Sequence, residues 1–198
     1  MKTSHFYLAH GAGAGHKNEF MTQLCRSLSE EAQQTVYPVT FSYMQEQERS
    51  GKKRPPPRFN TLIPEFSKCI EQERSCIVAG KSMGGRVASQ LTNLPMVKGV
   101  VCFGFPFYPA GKPEKHRLSF LENLTAPCLI IQGTRDQLGS LEWVSRQTLP
   151  SNVEIIWIEG ADHDFKTLKK YNRSIDDTIS EISAHTKNWL DNKLECRD

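Results

Sequence analysis

Short apolar runs alternate with amphipathic stretches along the whole chain. The runs fall at residues 6–9, 35–41, 75–79, 99–103, 128–132 and 153–158. Several are nearly unbroken in Val, Ile and Leu, as in strands covered on both faces of a parallel sheet. Between them, helical periodicity covers residues 18–33, 59–73, 84–94, 141–149 and 174–193. In the last of these, Ser174 is placed to cap, while Ile175, Ile179, Ile182 and Trp189 form one apolar face. Strand and helix in this alternation predict an α/β fold: an open, mostly parallel sheet of about six strands with helices on both faces.

Two stretches fit neither period. Residues 45–58 are polar, with Lys52, Lys53 and Arg54 followed by Pro55, Pro56 and Pro57. Residues 105–117 contain Pro106, Pro109, Gly111 and Pro113. Both leave the C-terminal ends of predicted strands, the side on which open α/β sheets bind ligands. There is no repeat, low-complexity tract or linker, so one domain over residues 1–198 is expected.

Composition narrows the function classes. A net charge of +3, from 25 basic and 22 acidic side chains, does not argue for nucleic acid or an anionic membrane. The only N-terminal apolar run, residues 6–9, is too short for a signal peptide or a membrane span. Cys25, Cys69, Cys76, Cys102, Cys128 and Cys196 are scattered without a CxxC pair, which gives neither a zinc ribbon nor a redox motif. A cytoplasmic protein with no metal or organic cofactor is the resulting expectation. Protein partners stay open.

The strongest local pattern is Gly80-Lys81-Ser82-Met83-Gly84-Gly85, directly after an apolar strand and opening a helix. This is a G-x-S-x-G turn in the context its chemistry needs: a sharp bend lifts the serine hydroxyl above the sheet, and glycines flank it because a Cβ would collide. Serine needs a base to become a nucleophile. His163 follows the last predicted strand, and Asp136 follows the strand before it. Both should emerge on the sheet edge that carries Ser82, with His163 as base and Asp136 as orienting acid. Asp162 and Asp164 are closer in sequence, but immediate neighbours rarely point at a ring nitrogen. The N–H of Met83, first in its helix, is expected to donate to an oxyanion. A second donor should come from the loop His10-Gly11-Ala12-Gly13-Ala14-Gly15, with Ala12 preferred and Gly13 possible.

Ser82 could simply cap a helix. Gly11–Gly15 has the spacing of neither a phosphate loop nor a dinucleotide fingerprint. His10 and His16 lack metal-ligand partners at a usable spacing, and His10 more naturally shapes the loop. Lys52, Lys53 and Arg54 read first as a solvated loop. The sharper alternative is that this loop overhangs the site and attracts an anionic group. Phe105 and Tyr108, with Phe103 and Phe107, either line an acyl pocket or simply pack at a strand end.

With these residues placed, the chain resembles the α/β-hydrolase superfamily over almost its full length. More narrowly it resembles the small lidless group described as testis-expressed-protein-like or acetyltransferase-complex-subunit-like, related to dienelactone hydrolases. His10-Gly11-Ala12-Gly13, Pro57-Arg58-Phe59, Gly80 through Arg86, Phe105-Pro106-Phe107 and the Asp136 and His163 loops carry the resemblance. It implies a fold without a cap and without the first two strands of larger relatives. Arg58, Gly13, Phe105 and Tyr108 are then candidates for contact with substrate. The implied activity is hydrolysis of a small ester or thioester through an acyl-enzyme on Ser82. A non-catalytic interaction module on the same fold, or an acyltransferase or peptidase using the same triad, are the alternatives.

Overall fold

A computed structural model describes residues 5–194 of the chain. Six strands form one sheet: β1 (His5–Ala9), β2 (Thr35–Val39), β3 (Cys76–Lys81), β4 (Val97–Phe103), β5 (Cys128–Gly133) and β6 (Val153–Ile158). Their order is β2-β1-β3-β4-β5-β6, and every neighbouring pair is parallel. A parallel sheet aligns all strand C-termini on one edge, so the loops after β1, β3, β5 and β6 meet there.

Alternation along each strand divides the core in two. On one face Phe6, Leu8, Ile77, Val101, Leu129 and Ile131 pack under α1 (Glu19–Glu30) and α7 (Ile175–Leu194). On the other, Tyr7, Val78, Val100, Cys102 and Ile130 pack under α3 (Phe59–Cys69) and α4 (Met83–Ala88). Each fully buried Leu, Ile, Val or Phe contributes about 1.5–3 kcal/mol. β3 and β5 are buried at all six positions, which is why they read as continuous apolar runs. β2 lies at the sheet edge and carries Pro38, whose missing N–H an edge strand tolerates.

The largest departure from expectation lies between β2 and α3. The start of the polar stretch 45–58 is helical: α2 spans Ser42–Ser50. It buries only Tyr43 and Met44 and ends at Gly51, whose φ of 69° closes the helix in the left-handed region. So few apolar positions leave no visible period. The helix expected over 84–94 stops at Ala88 and continues as a 3-10 turn, Ser89–Leu91. That expected over 141–149 is a single turn, α6 (Leu141–Val144), and a further short turn, α5 (Ser119–Glu122), precedes β5. Among the described residues no helix is long and apolar enough to cross a membrane. Cys196 lies outside the described residues, and the other five cysteines are free thiols.

Candidate active site

β3 runs into a turn packed main chain against main chain. Ser82 sits at φ 51°, ψ −112°, a conformation that costs a residue with a Cβ about 1–3 kcal/mol. The glycines make it possible. A Cβ on Gly80 would lie 2.2 Å from the Gly84 carbonyl carbon, and one on Gly84 would lie 2.6 Å from the Ala9 oxygen. The Ser82 N–H donates to the Phe103 carbonyl at 2.9 Å, which ties the turn to β4.

The strained turn presents the hydroxyl to His163. Nε2 of His163 lies 2.9 Å from Ser82 Oγ, and Nδ1 lies 2.7 Å from Asp136 Oδ2. Asp136 is fully buried; its Oδ2 also accepts from Gln132 Nε2 at 2.8 Å, and Oδ1 accepts from the Leu138 N–H at 2.7 Å. An ionised carboxylate only accepts, so the Nδ1 facing it carries the proton. Nε2 is left as the acceptor for the Ser82 hydroxyl. Asp162 does different work: its Oδ1 accepts from the N–H groups of Asp164 and Lys166 and turns the histidine loop. The two loops touch at Gly133, where a Cβ would come within 2.4 Å of the Ala161 oxygen.

Lys81, not singled out from sequence, belongs to this arrangement. Its ammonium is buried and donates to the His163 carbonyl at 2.7 Å. Burial lowers its pKa to about 8, against the opposing pull of Asp164, Asp136 and Asp162. A lysine at the end of an otherwise apolar strand, between Gly80 and Ser82, is the sequence signal that could have marked it.

His10 shapes the glycine-rich loop. Its Nδ1 donates to the Gly11 carbonyl at 2.6 Å, while Nε2 accepts from the Phe41 N–H at 3.2 Å. Both ring nitrogens are thus engaged, and burial lowers the pKa to about 4, which keeps the ring neutral. The bond turns the Gly11 oxygen toward His10, so across a trans peptide the Ala12 N–H points the other way. The Tyr43 hydroxyl donates to the Ala12 carbonyl at 3.0 Å and holds the next peptide as well. A Cβ on Gly11 would lie 3.7 Å from that of Ser82, so this loop stands beside the serine. Among the described residues no group of three or more His, Cys, Asp or Glu side chains could hold a metal ion.

Ser82 lies between two clefts, and Ala12 lines both. The larger, about 600 Å³, is bounded by Gly13, Lys81, His163 and Ile175. The smaller, about 290 Å³, is bounded by Pro56, Pro57, Phe59, Met83, Arg86 and Arg117. Gly13 and Met83 therefore stand at the serine, but three other candidates do not. Arg58 is exposed, caps the N-terminus of α3 and borders neither cleft. Phe105 is fully buried in the core. Tyr108 is buried, accepts from the Ser140 N–H at 3.0 Å and packs on Trp143. Packing, not pocket lining, describes both aromatics. Of the 45–58 stretch, Pro56 and Pro57 overhang the site, whereas Arg54 pairs with Glu46 at 3.2 Å. The arginines that line the smaller cleft together with Ser82 are Arg86 and Arg117.

Comparison with known proteins agrees with this architecture. Residues 2–191 match the family model described as an alpha/beta hydrolase domain. Among solved structures, the chain is similar to Est1E from Butyrivibrio proteoclasticus at 13% identity and a TM-score of 0.67, over 98% of this chain and 89% of that one. It is also similar to a monoacylglycerol lipase from Paleococcus ferrophilus (16%, TM-score 0.64, 95% of each chain). An alpha-beta serine hydrolase homologue from Coxiella burnetii matches at 17% identity and a TM-score of 0.62, over 96% of this chain and 86% of that one.

Proposed function

The chain belongs to the alpha/beta hydrolase family, and from that premise we propose that it is a serine hydrolase cleaving a small carboxylic ester or thioester. The observation that carries this reading is the continuous relay from Ser82 Oγ to His163 Nε2 at 2.9 Å and from His163 Nδ1 to Asp136 at 2.7 Å. In the proposed reaction His163 takes the hydroxyl proton as Ser82 Oγ bonds to the carbonyl carbon. Ala12 and Met83 N–H groups receive the charge that develops on the carbonyl oxygen. The intermediate collapses, the C–O or C–S bond breaks, and His163 returns its proton to the departing alcohol or thiol. Water, deprotonated by the same ring, then attacks the acyl-enzyme and frees the acid and Ser82. The narrower kinship, with the lidless testis-expressed-protein-like group, is part of the same proposal and rests on the elbow and Phe105-Pro106-Phe107 motifs.

Fluorophosphonate labelling read by intact mass tests the proposal. Wild-type protein should gain one adduct, and Ser82→Ala none. A folded wild-type protein without an adduct would overturn the reading and favour an interaction module.

A further inference from the structure

Two cations share the smaller cleft, and no carboxylate among the described residues pairs with them. Arg86 lies one helical turn beyond Ser82, its N–H donating to the Ser82 carbonyl at 3.1 Å. Long helical side chains lean toward the helix N-terminus, which brings this guanidinium back toward the serine. Its Cζ stands 4.0 Å from the Phe59 ring centroid and 5.1 Å from that of Phe120. The two rings hold the group in place but do not cancel its charge. Arg117 reaches the same cleft from the segment after β4, anchored by Nη1 on the Pro106 carbonyl at 3.1 Å.

Among the described residues no carboxylate pairs with either guanidinium, and Arg86 Nε is buried without a hydrogen-bond partner. Four arginines are ion-paired, Arg49 and Arg54 with Glu46, Arg146 with Glu142 and Arg173 with Glu181, but none of these four lines the cleft. Desolvation, and after it the like charge of Arg117, lowers the Arg86 pKa to about 10. Two half-buried like charges left facing each other are unfavourable unless an anion joins them.

We propose that the smaller cleft is an anion subsite, in which Arg86 and Arg117 together hold a carboxylate or phosphate carried by the substrate that Ser82 attacks. The inference rests on the reading of Ser82 as nucleophile. Four residues of helix rise about 6 Å, so the anion sits a few bonds from the scissile carbonyl. The remaining walls, Pro57, Phe59, Met83 and Pro106, suit the short apolar chain between them. The substrate class is therefore a short ester or thioester with a charged end, such as a half-ester of a dicarboxylic acid or a phosphate-bearing ester.

The test reads binding apart from turnover, on the full chain. Glutarate and inorganic phosphate are titrated calorimetrically into wild type, Arg86→Gln and Arg117→Gln. One of the anions should bind at one site, and each variant should lose at least about tenfold in affinity, the scale of a charge-assisted pair. Which anion binds decides between the two chemistries. Should Arg86→Gln fail to fold because its ring contacts are lost, Arg117→Gln carries the comparison. Failure of both anions to bind, or unchanged affinity in the folded variants, overturns the subsite. In parallel, an aryl hemiglutarate is compared with the neutral aryl pentanoate. Wild type should prefer the charged ester at least about tenfold in kcat/KM, and the variants should lose that preference. Arginine-dependent anion binding with equal turnover of the two esters overturns the substrate assignment. Arginine-dependent binding with no turnover and no fluorophosphonate adduct defeats the hydrolase reading while the subsite stands. Turnover without anion binding or charge preference does the reverse.

Discussion

The ammonium of Lys81 donates to the carbonyl of His163 at 2.7 Å, so the residue before the serine holds the loop that carries the histidine. One cation thereby couples β3 to the loop after β6.

That cation also sets a pH dependence. Burial lowers the Lys81 pKa to about 8, below its unfolded value near 10.4. Between those values the unfolded chain binds more protons than the native one, so stability rises with pH there. The groups that face it are the carboxyl side chains of Asp164, Asp136 and Asp162, which pull the other way. Urea unfolding of wild type and Lys81→Met at pH 7 and pH 10 should show wild type gaining roughly 2 kcal/mol relative to the variant. A constant difference would mean that the ammonium is not buried in the native state.

On the proposed mechanism Asp136 acts by orienting His163, and its own bonds to Gln132 and Leu138 hold it there. Asp136→Asn keeps the shape and leaves the side chain able to donate toward His163, which favours the wrong tautomer. Turnover of an activated ester should fall about 10,000-fold while the circular dichroism spectrum is unchanged. A loss below about tenfold would remove Asp136 from the mechanism.

His10 can be split into its two bonds. His10→Asn retains a donor near the Gly11 carbonyl, and His10→Gln retains an acceptor near the Phe41 N–H. If the Gly11 bond aims the Ala12 N–H, the Asn variant should keep more of the turnover number. The Gln variant should lose about 100-fold, the scale of one oxyanion donor. Equal rates would detach His10 from the site. The pKa near 4 adds a second signature. Wild type binds fewer protons folded than unfolded between pH 4 and 6.5, so its stability falls as pH drops through that window. His10→Asn should lack that slope.

Glycine is required at 80 and optional at 13. A Cβ on Gly80 would enter the Gly84 backbone at 2.2 Å, whereas one on Gly13 would meet nothing within 4 Å. Gly80→Ala should cost about 3 kcal/mol or more, or abolish soluble expression. Gly13→Ala should stay within about 1 kcal/mol of wild type in urea.

How much of this was readable in advance depended on where each signal is written. β3 and β5 are buried on both faces, so their apolar runs announced both the strands and a parallel sheet. Ser82 and Asp136 follow these two strands and His163 follows the half-buried β6, and parallel topology alone puts all three on one edge. α2 escaped because it buries two side chains and shows solvent the rest. Phe105 and Tyr108 stay between pocket lining and strand-end packing on sequence alone, since composition does not say which way a strand-end aromatic turns. Arg86 was in plain view within the elbow motif. Its convergence with Arg117, 31 positions away, exists only once β4 has brought the next segment across the cleft.

The glycine contacts of the elbow have a further consequence. Ser82 is held by backbone meeting backbone: Gly80 on Gly84, Gly84 on Ala9, and the Ser82 N–H on Phe103. The cleft walls are side chains from unrelated stretches, Pro57, Arg117 and Ile175 among them. On the proposed function, reactivity and selectivity are thus built of different materials, the first in closely packed main chain, the second in side chains that can be exchanged one at a time. The cleft walls can be redrawn without touching the backbone contacts that hold Ser82.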